Sequence, residues 1–356
     1  MSVDIVFTGG GTAGHVTPNL ALMEGLENKY TFAYLGAKNG IEATMLAPKK
    51  VTFYAIRSGK LRRYFSFRNF VDPFNVLIGI VQAYYRLLRL KPKLVFSKGG
   101  FVALPVVIAA WCHRIPIIAH ESDLSPGLAN RISYPFVTKI CVTFQKGKEY
   151  FKNQDKLVVT GTPIRPELFT GDKQLGLKIA GLSGKKPCLL IMGGSQGSAV
   201  INDCIREHLK GFCERFHVLH ICGKGKCDAR FEKQKDYFQL EYAFDDLPHF
   251  LAAADLVISR AGANALYEIL ALKKPHILIP LSKRSSRGDQ IANAFYFEDK
   301  GSGVVLTEEK LTSKQLLATS EMVYESRANY VNCIKTLNIE SATPVLISLI
   351  EEVLAV

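Results

Sequence analysis

Two halves of this sequence repeat one local pattern, and that repeat constrains the fold more than any single residue does. An apolar run closed by a glycine turn, VFTGGGTAG at 6–14, is echoed by LIMGGSQGS at 190–198, and KLVFSKGGFVALP at 93–105 is echoed by DLVISRAGANALYE at 255–268. Around these echoes, short β-branched runs alternate with longer helical patterns: DIVFTGG, TFAYLG, LVFSKGG, IPIIAHE and KICVTF in the first half, CLLIMGG, HVLHICG, DLVISRAG and PHILIPL in the second. Continuous apolar strands that end in glycine or a small polar residue and are separated by helices predict parallel sheets covered on both faces. At 356 residues the chain exceeds one ordinary core. The expectation is an α/β protein of two Rossmann-like domains, 1–160 and 165–340. The hinge falls in VVTGTPIRPEL at 158–168, where two prolines and a glycine interrupt the periodicity, and the stretch after it reads as a polar introduction to the second domain. Ligands of such folds bind outside the carboxyl ends of the strands, which for two facing domains means the cleft between them.

The first turn satisfies G-x-G-x-x-G with Gly9, Gly11 and Gly14, the letters of a dinucleotide fingerprint. That reading needs an acidic residue at the end of the second strand to take the ribose hydroxyls. The second strand ends at Gly36, and the next acid, Glu42, falls at a helix start, so the fingerprint loses its support. What remains is a strand, a tight turn and a helix starting near Gly14 to Pro18, with His15 at the helix end. There the dipole disfavours the imidazolium and leaves a neutral ring able to accept a proton. The alternative is that His15 only caps the turn.

In the second half, MGGSQGSAVIN at 192–202 places Ser195 and Gln196 among small residues that let a phosphate approach the amides. SRAGANALYE places Ser259, Arg260 and Gly262 before a helix and Glu268 one to two turns inside it, suited to a diphosphate at the helix end and sugar hydroxyls on the carboxylate. PLSKRSSRGDQIANA at 280–294 offers Asp289, Gln290 and Asn293 to hydroxyls and an amide, while Lys283, Arg284 and Arg287 also fit a solvated loop.

Forty-five basic against 32 acidic residues leave a charge of +13, which favours an anionic partner. The basic residues are scattered, with no RNA-binding signature, which argues against nucleic acid. Residues 58–93 mix basic side chains, among them Lys60, Arg62 and Arg63, with Phe65, Phe67, Phe70 and Phe74. A helix from about Pro73, with Leu77, Ile80, Val81, Tyr84 and Leu88 on one side and Arg86, Arg89, Lys91 and Lys93 toward its end, suits an anionic lipid surface or, equally, a core. No apolar run reaches the length of a membrane span and no leader pattern opens the chain, so a soluble protein able to sit on a membrane is expected. The eight cysteines lack zinc-site spacing and the density of a disulfide scaffold, and are expected to be reduced thiols in the cytoplasm.

GGGTAGHVTP, SGKLRR, SKGGFVALP, HESDLSPGLANR, GTPIR, GGSQGS, SRAGANALYE and SRGDQIANA occur in one order along essentially the whole chain. In this the sequence resembles the MurG family of peptidoglycan glycosyltransferases, which move N-acetylglucosamine (GlcNAc) from UDP-GlcNAc to the 4-hydroxyl of N-acetylmuramic acid in lipid I, giving lipid II. The resemblance implies a GT-B fold with the acceptor on the N-terminal domain, the donor on the C-terminal domain, and a last helix, 341–356, returning to the first. It implies that the uracil is held near Phe244, the ribose by Glu268, the phosphates by Ser195 and by Ala263, Asn264, Ala265, Leu266 and the adjoining Tyr267, with Arg165 close by, and the GlcNAc hydroxyls by Gln290 and Asn293. Thr12, Ala13, Gly14 and His15 correspond to the family's first glycine loop. Asp123, also counted with the substrate-binding residues, stands where many members carry asparagine.

The implied reaction is one inverting displacement, with His15 as the proton acceptor. No D-x-D metal motif occurs, and helix N-termini at 195–199 and 262–266 with nearby arginine would stabilise the departing diphosphate, so no obligatory metal or other cofactor is expected. The implied setting is peripheral, on the cytoplasmic face of the bacterial inner membrane, with UDP-GlcNAc, lipid I and an anionic membrane surface as partners. The alternatives are another GT-B enzyme acting on UDP-GlcNAc, such as a 2-epimerase or a transferase to a soluble acceptor, and a non-catalytic nucleotide-sugar-binding protein.

Overall fold

The computed structural model describes residues 2–49, 51–59, 68–151, 154–194 and 196–355. The chain divides into two compact units, one formed by Met1–Arg165 with Ser341–Val356 and the other by Pro166–Glu340. The expectations for Lys60, Arg62, Arg63 and Ser195 lie outside the described residues.

The first unit is built on seven parallel strands: β1 Ile5–Thr8, β2 Phe32–Ala37, β3 Thr52–Ile56, β4 Leu94–Ser97, β5 Ile117–Glu121, β6 Lys139–Val142 and β7 Leu157–Val159. Their order is β3-β2-β1-β4-β5-β6-β7. The second unit holds six: β8 Cys188–Met192, β9 His217–Ile221, β10 Tyr237–Leu240, β11 Leu256–Ser259, β12 His276–Leu278 and β13 Val304–Val305, ordered β10-β9-β8-β11-β12-β13 and also parallel. In both sheets the winding direction reverses between two neighbouring strands, β1 beside β4 and β8 beside β11, where an open α/β sheet splits its loops apart. Those four strands carry the two echoed sequence pairs. The duplication read in the sequence is therefore a duplication of switch points.

Alternation along each strand sends successive side chains to opposite faces, and both faces are covered. Val6, Leu35, Val95, Ala119 and Ile140 meet Ala83, Leu87, Val106 and Ala110 on one side of the first sheet. Ile5, Phe7, Phe96 and Ile118 meet Leu22, Leu26, Leu346 and Ile350 on the other. The last two belong to helix Thr343–Ala355, which packs on helix Thr17–Leu26 so closely that a Cβ on Gly25 would lie 2.6 Å from Ile347 Cδ1. In the second unit Leu189, Ile191, Val218 and Ile258 pack with Ile205, Phe212, Leu316 and Val323.

Three local expectations change. The stretch after residue 168, read as polar linker, contains helix Lys173–Ile179, started by the Asp172 carboxylate accepting the Leu175 N–H at 2.9 Å. The basic helix runs Arg68–Leu90, beginning before Pro73 rather than at it. The short strands β3, β7, β10 and β13, absent from the sequence reading, lie toward the sheet margins, where brief apolar runs give little periodic signal.

Candidate functional site

The carboxyl edge of the first sheet gathers the first glycine turn, SKGG after β4 and HESD at the end of β5. β1 ends at Thr8, whose hydroxyl donates to the Leu35 carbonyl at 2.9 Å. Gly11 takes a φ of 87°, a left-handed conformation that favours glycine, and a single helical turn, Ala13–His15, leads into helix Thr17–Leu26 with Pro18 in its first turn. Thr12 is exposed, and Ala13, Gly14 and His15 are half-buried. His15 Nδ1 lies 3.1 Å from Thr12 Oγ1. The SKGG turn abuts this loop: a Cβ on Gly100 would lie 2.5 Å from the Gly10 carbonyl oxygen and 3.5 Å from His15 Nδ1.

Glu42 has a different role from the ribose ligand that the fingerprint lacked. It is fully buried, and its carboxylate accepts the Ala37 N–H at 2.8 Å and the Gly11 N–H at 3.4 Å. A Cβ on Gly10 would lie 2.5 Å from its carboxylate, and one on Gly36 would lie 2.8 Å from its Cγ. A buried carboxylate thus ties the turn after β1 to the end of β2. The signal in the sequence was the crowd of small residues around one acid, which sequence reasoning missed. On the other side of the turn, the Tyr34 hydroxyl donates to the Gly9 carbonyl at 2.7 Å and the Asn19 amide donates to Thr8 O at 3.3 Å.

HESD is anchored by its glutamate. Buried Glu121 accepts the Asp123 N–H at 3.1 Å, the Gly127 N–H at 3.1 Å, the Asn130 amide at 2.8 Å and the Tyr134 hydroxyl at 3.2 Å. Asp123 is half-buried beside it, and Arg165 is half-buried at the end of the first segment. Beneath the turns lies Lys98, enclosed with His120 and Ser122.

The second unit repeats the arrangement. Gly194 and Gly197 take φ of 84° and 66°, and a Cβ on Gly197 would collide with the Cys222 carbonyl at the end of β9. Lys226 Nζ donates to the Gln196 and Gly197 carbonyls at 2.9 and 3.3 Å. Ser198 caps helix Ala199–Glu207, its hydroxyl accepting the Ile201 N–H at 3.2 Å. Arg260, which looked available from sequence, is spent on structure: it donates to Ser198 Oγ at 2.6 Å, Glu308 Oε1 at 2.6 Å and Ile279 O at 3.0 Å, and is buried. That ion pair and the Ser282 N–H hold the Glu308 carboxyl below its ordinary range against burial, which pushes it up.

Helix Ala263–Ala271 begins at Gly262, which has no side chain to cap the first turn. Ala263 and Leu266 are buried, so backbone is what they can offer a ligand; Asn264, Ala265 and Glu268 are half-buried. Tyr267 is buried edge-on against Phe297, centroids 5.7 Å apart. Glu268 lies five residues past Ala263, about 7 Å along the axis. Gln290, half-buried, accepts the Leu281 N–H at 3.2 Å. Asn293 is placed otherwise than expected: it has no exposure, and its amide donates to the Ala261 carbonyl at 3.2 Å, which supports the turn instead of presenting a polar group outward. Phe244 is 75% exposed, tilted against Tyr242 at 5.4 Å.

On the first unit, helix Arg68–Leu90 buries Ala83, Leu87 and Leu90 and leaves Phe74, Leu77, Val81, Tyr85 and Leu88 exposed, an apolar stripe at helical spacing. Ile80 is half-buried, and Tyr84 stacks on His113 at 4.1 Å. Arg86 and Arg89 are exposed, Arg86 with its guanidinium 4.9 Å from the Tyr54 ring. No described helix is long and apolar enough to cross a membrane. Among the described residues no group of three or more His, Cys, Asp or Glu is gathered to hold a metal, and the eight cysteines are free thiols.

Two Rossmann-like α/β units, each with a glycine turn and a helix start at its switch point, give the chain a GT-B fold. It belongs to glycosyltransferase family 28, whose N-terminal domain matches residues 5–142 and whose C-terminal domain matches residues 188–342. It is 54% identical over 353 residues, covering 99% of this chain and 97% of the relative, to the UDP-N-acetylglucosamine--N-acetylmuramyl-(pentapeptide) pyrophosphoryl-undecaprenol N-acetylglucosamine transferase of Legionella pneumophila strain Lens. The Clostridium tetani protein of the same name is 48% identical, covering 99% and 98% of the two chains. Among solved structures, Acinetobacter baumannii MurG superposes with a TM-score of 0.75 at 23% identity, covering 98% of this chain and 99% of that one.

Proposed function

We propose that this chain transfers GlcNAc from UDP-GlcNAc to the 4-hydroxyl of the muramyl sugar in lipid I, giving lipid II, by a single inverting displacement. The observation that carries this reading is the 54% identity over 353 residues to a transferase of that name. The paired glycine turns at both switch points agree with it.

The acceptor binds the first unit, at Thr12, Ala13, Gly14, His15 and Asp123, and the donor binds the second. In the donor site Phe244 flanks the uracil and Glu268 takes the ribose hydroxyls. The amides of Ala263 to Leu266 meet the diphosphate with Ser195 and Arg165, and Gln290 reads the sugar, with Asn293 behind it as support. The 4-hydroxyl oxygen bonds to the anomeric carbon as the bond to the diphosphate breaks, and the hydroxyl proton passes to His15. In the tautomer whose Nδ1–H donates to Thr12 Oγ1, Nε2 is the nitrogen that accepts the proton. The charge that develops on the leaving diphosphate is met by helix amides, whose dipoles are fixed before reaction, so no obligatory metal is invoked. The exposed stripe of helix Arg68–Leu90, flanked by Arg86 and Arg89, rests on the anionic cytoplasmic face of the inner membrane, where a lipid-linked acceptor is found.

The test is incubation with UDP-GlcNAc and a short-chain lipid I analogue in EDTA. Disaccharide product is expected; its absence overturns the reading, and product only on addition of a divalent metal overturns the metal-free mechanism.

A further inference from the structure

The proposed reaction makes no use of Lys98, although it is enclosed at the carboxyl edge of the first sheet with 1% exposure. A lysine buried this completely is rare unless its ammonium is matched on every side. Its Nζ lies 2.6 Å from His120 Nδ1 and donates a further short hydrogen bond to Ser122 Oγ. His120 is itself fully buried, with Nε2 2.8 Å from the Gly161 carbonyl oxygen. A carbonyl only accepts, so Nε2 carries the ring proton and Nδ1 is left to accept from Lys98. The Lys98 backbone N–H donates to Thr8 O at 2.9 Å, and a Cβ on Gly9 would lie 3.0 Å from Lys98 Cβ, so its stem lies against the first glycine turn. One side chain thereby links the ends of β1, β4 and β5 and, through His120, the segment after β7.

We propose that Lys98 is a positioning residue for the acceptor sugar: it holds the Ser122–Asp123 loop and the Gly161 turn in register with the loop that carries His15. This inference rests on the transferase reading above. Ser122 accepts from Lys98 and keeps its own O–H to donate, so the lysine sets which way that hydroxyl points beside Asp123. Burial pulls Lys98 down to about 7, opposed by the nearby Glu121 and Asp123 carboxylates and Cys141. His120 stays neutral, driven well below its usual value by burial and by Lys98, and the Cys141 thiol is pushed up to about 12. The acids facing the amine are therefore both on the HESD segment, whose placement the acceptor depends on.

The test compares wild type, Lys98→Met, which keeps the stem and removes the donors, and Ser122→Ala, which removes the hydroxyl that accepts from Lys98 beside Asp123. The expected result for Lys98→Met is an acceptor KM raised at least tenfold with a smaller fall in kcat, while calorimetric affinity for UDP-GlcNAc stays within twofold. Ser122→Ala should raise the acceptor KM severalfold with the same donor affinity, and it covers the case in which Lys98→Met does not fold. The double variant Lys98→Met/His120→Gln should be no worse than Lys98→Met alone, because the two act as one unit. Unchanged acceptor KM in the single variants, or an equal loss of donor affinity, overturns the positioning role while wild-type product leaves the transferase reading standing. No product from wild type overturns both.

Discussion

Replacing Leu77 and Val81 together by glutamate tests the membrane reading where its magnitude can be worked out. The two side chains are 59% and 55% exposed on the stripe of helix Arg68–Leu90. Full burial of a leucine or valine is worth about 1.5–3 kcal/mol, so covering the exposed fraction of both by lipid gains roughly 2–3 kcal/mol. Two carboxylates held at an anionic surface add a repulsion of about 1 kcal/mol each. The double variant should therefore bind anionic vesicles about 4 kcal/mol more weakly, close to a thousandfold in partition coefficient. Exposed positions of this kind move folding stability by only about 0.5 kcal/mol, so the melting temperature should hold. Vesicle sedimentation measures the partition, and transfer to a detergent-dispersed acceptor supplies the control. Wild-type sedimentation by the double variant, or an equal loss of activity in detergent and on vesicles, refutes the assignment of this face to lipid.

His15→Ala should lower kcat by about 10²–10⁴ while leaving UDP-GlcNAc affinity unchanged; equal losses in rate and affinity would assign His15 to binding. Arg260→Met leaves the half-buried Glu308 carboxylate without its ion-pair partner, with only the Ser282 N–H still donating to it, and should cost up to about 3 kcal/mol in urea unfolding, with Arg260→Met/Glu308→Met recovering much of it. Burial holds His276 down to about 4 and His220 to about 3, below the ordinary 6.5. Between pH 6.5 and 4 the unfolded chain binds protons that the folded chain refuses, so stability falls as pH drops through that window and is unaffected by these groups above it. His276 alone accounts for about 3 kcal/mol at pH 4, and His276→Gln should flatten the pH dependence of urea midpoints measured between pH 7 and 5.

The echoed glycine turns made the switch points legible in the sequence, because a strand, a tight turn and a helix start leave a local signature that no distant contact has to complete. Glu42 and Lys98 were not legible in that way. Glu42 reaches the Gly11 N–H only when β1 pairs with β2, and Lys98 reaches His120 and Ser122 only when β4 pairs with β5. Residue type also misled. Arg260 and Asn293 have the chemistry of ligand-binding groups, yet Arg260 is consumed by Ser198, Glu308 and carbonyls, and Asn293 is fully buried with its amide donating to Ala261. Helix Lys173–Ile179 escaped because Gly176 interrupts its pattern; that glycine is required where a Cβ would collide with the His249 carbonyl.

The return of helix Thr343–Ala355 to the first unit sets an order for assembly on the ribosome. Leu346, Leu349 and Ile350 cover one face of the first sheet, yet they are made only after the whole second unit, Pro166–Glu340, has been synthesised. At about 5–20 residues per second that delay is on the order of 10–40 seconds. During it the first unit has every strand of its sheet and an apolar face that helix Thr17–Leu26 covers only in part, while the second unit is a continuous stretch of chain that can close its core at once. The N-terminal half of this protein is thus the last to be finished, and nascent chains stalled before residue 343 should be held by chaperones through a face that the mature protein never exposes.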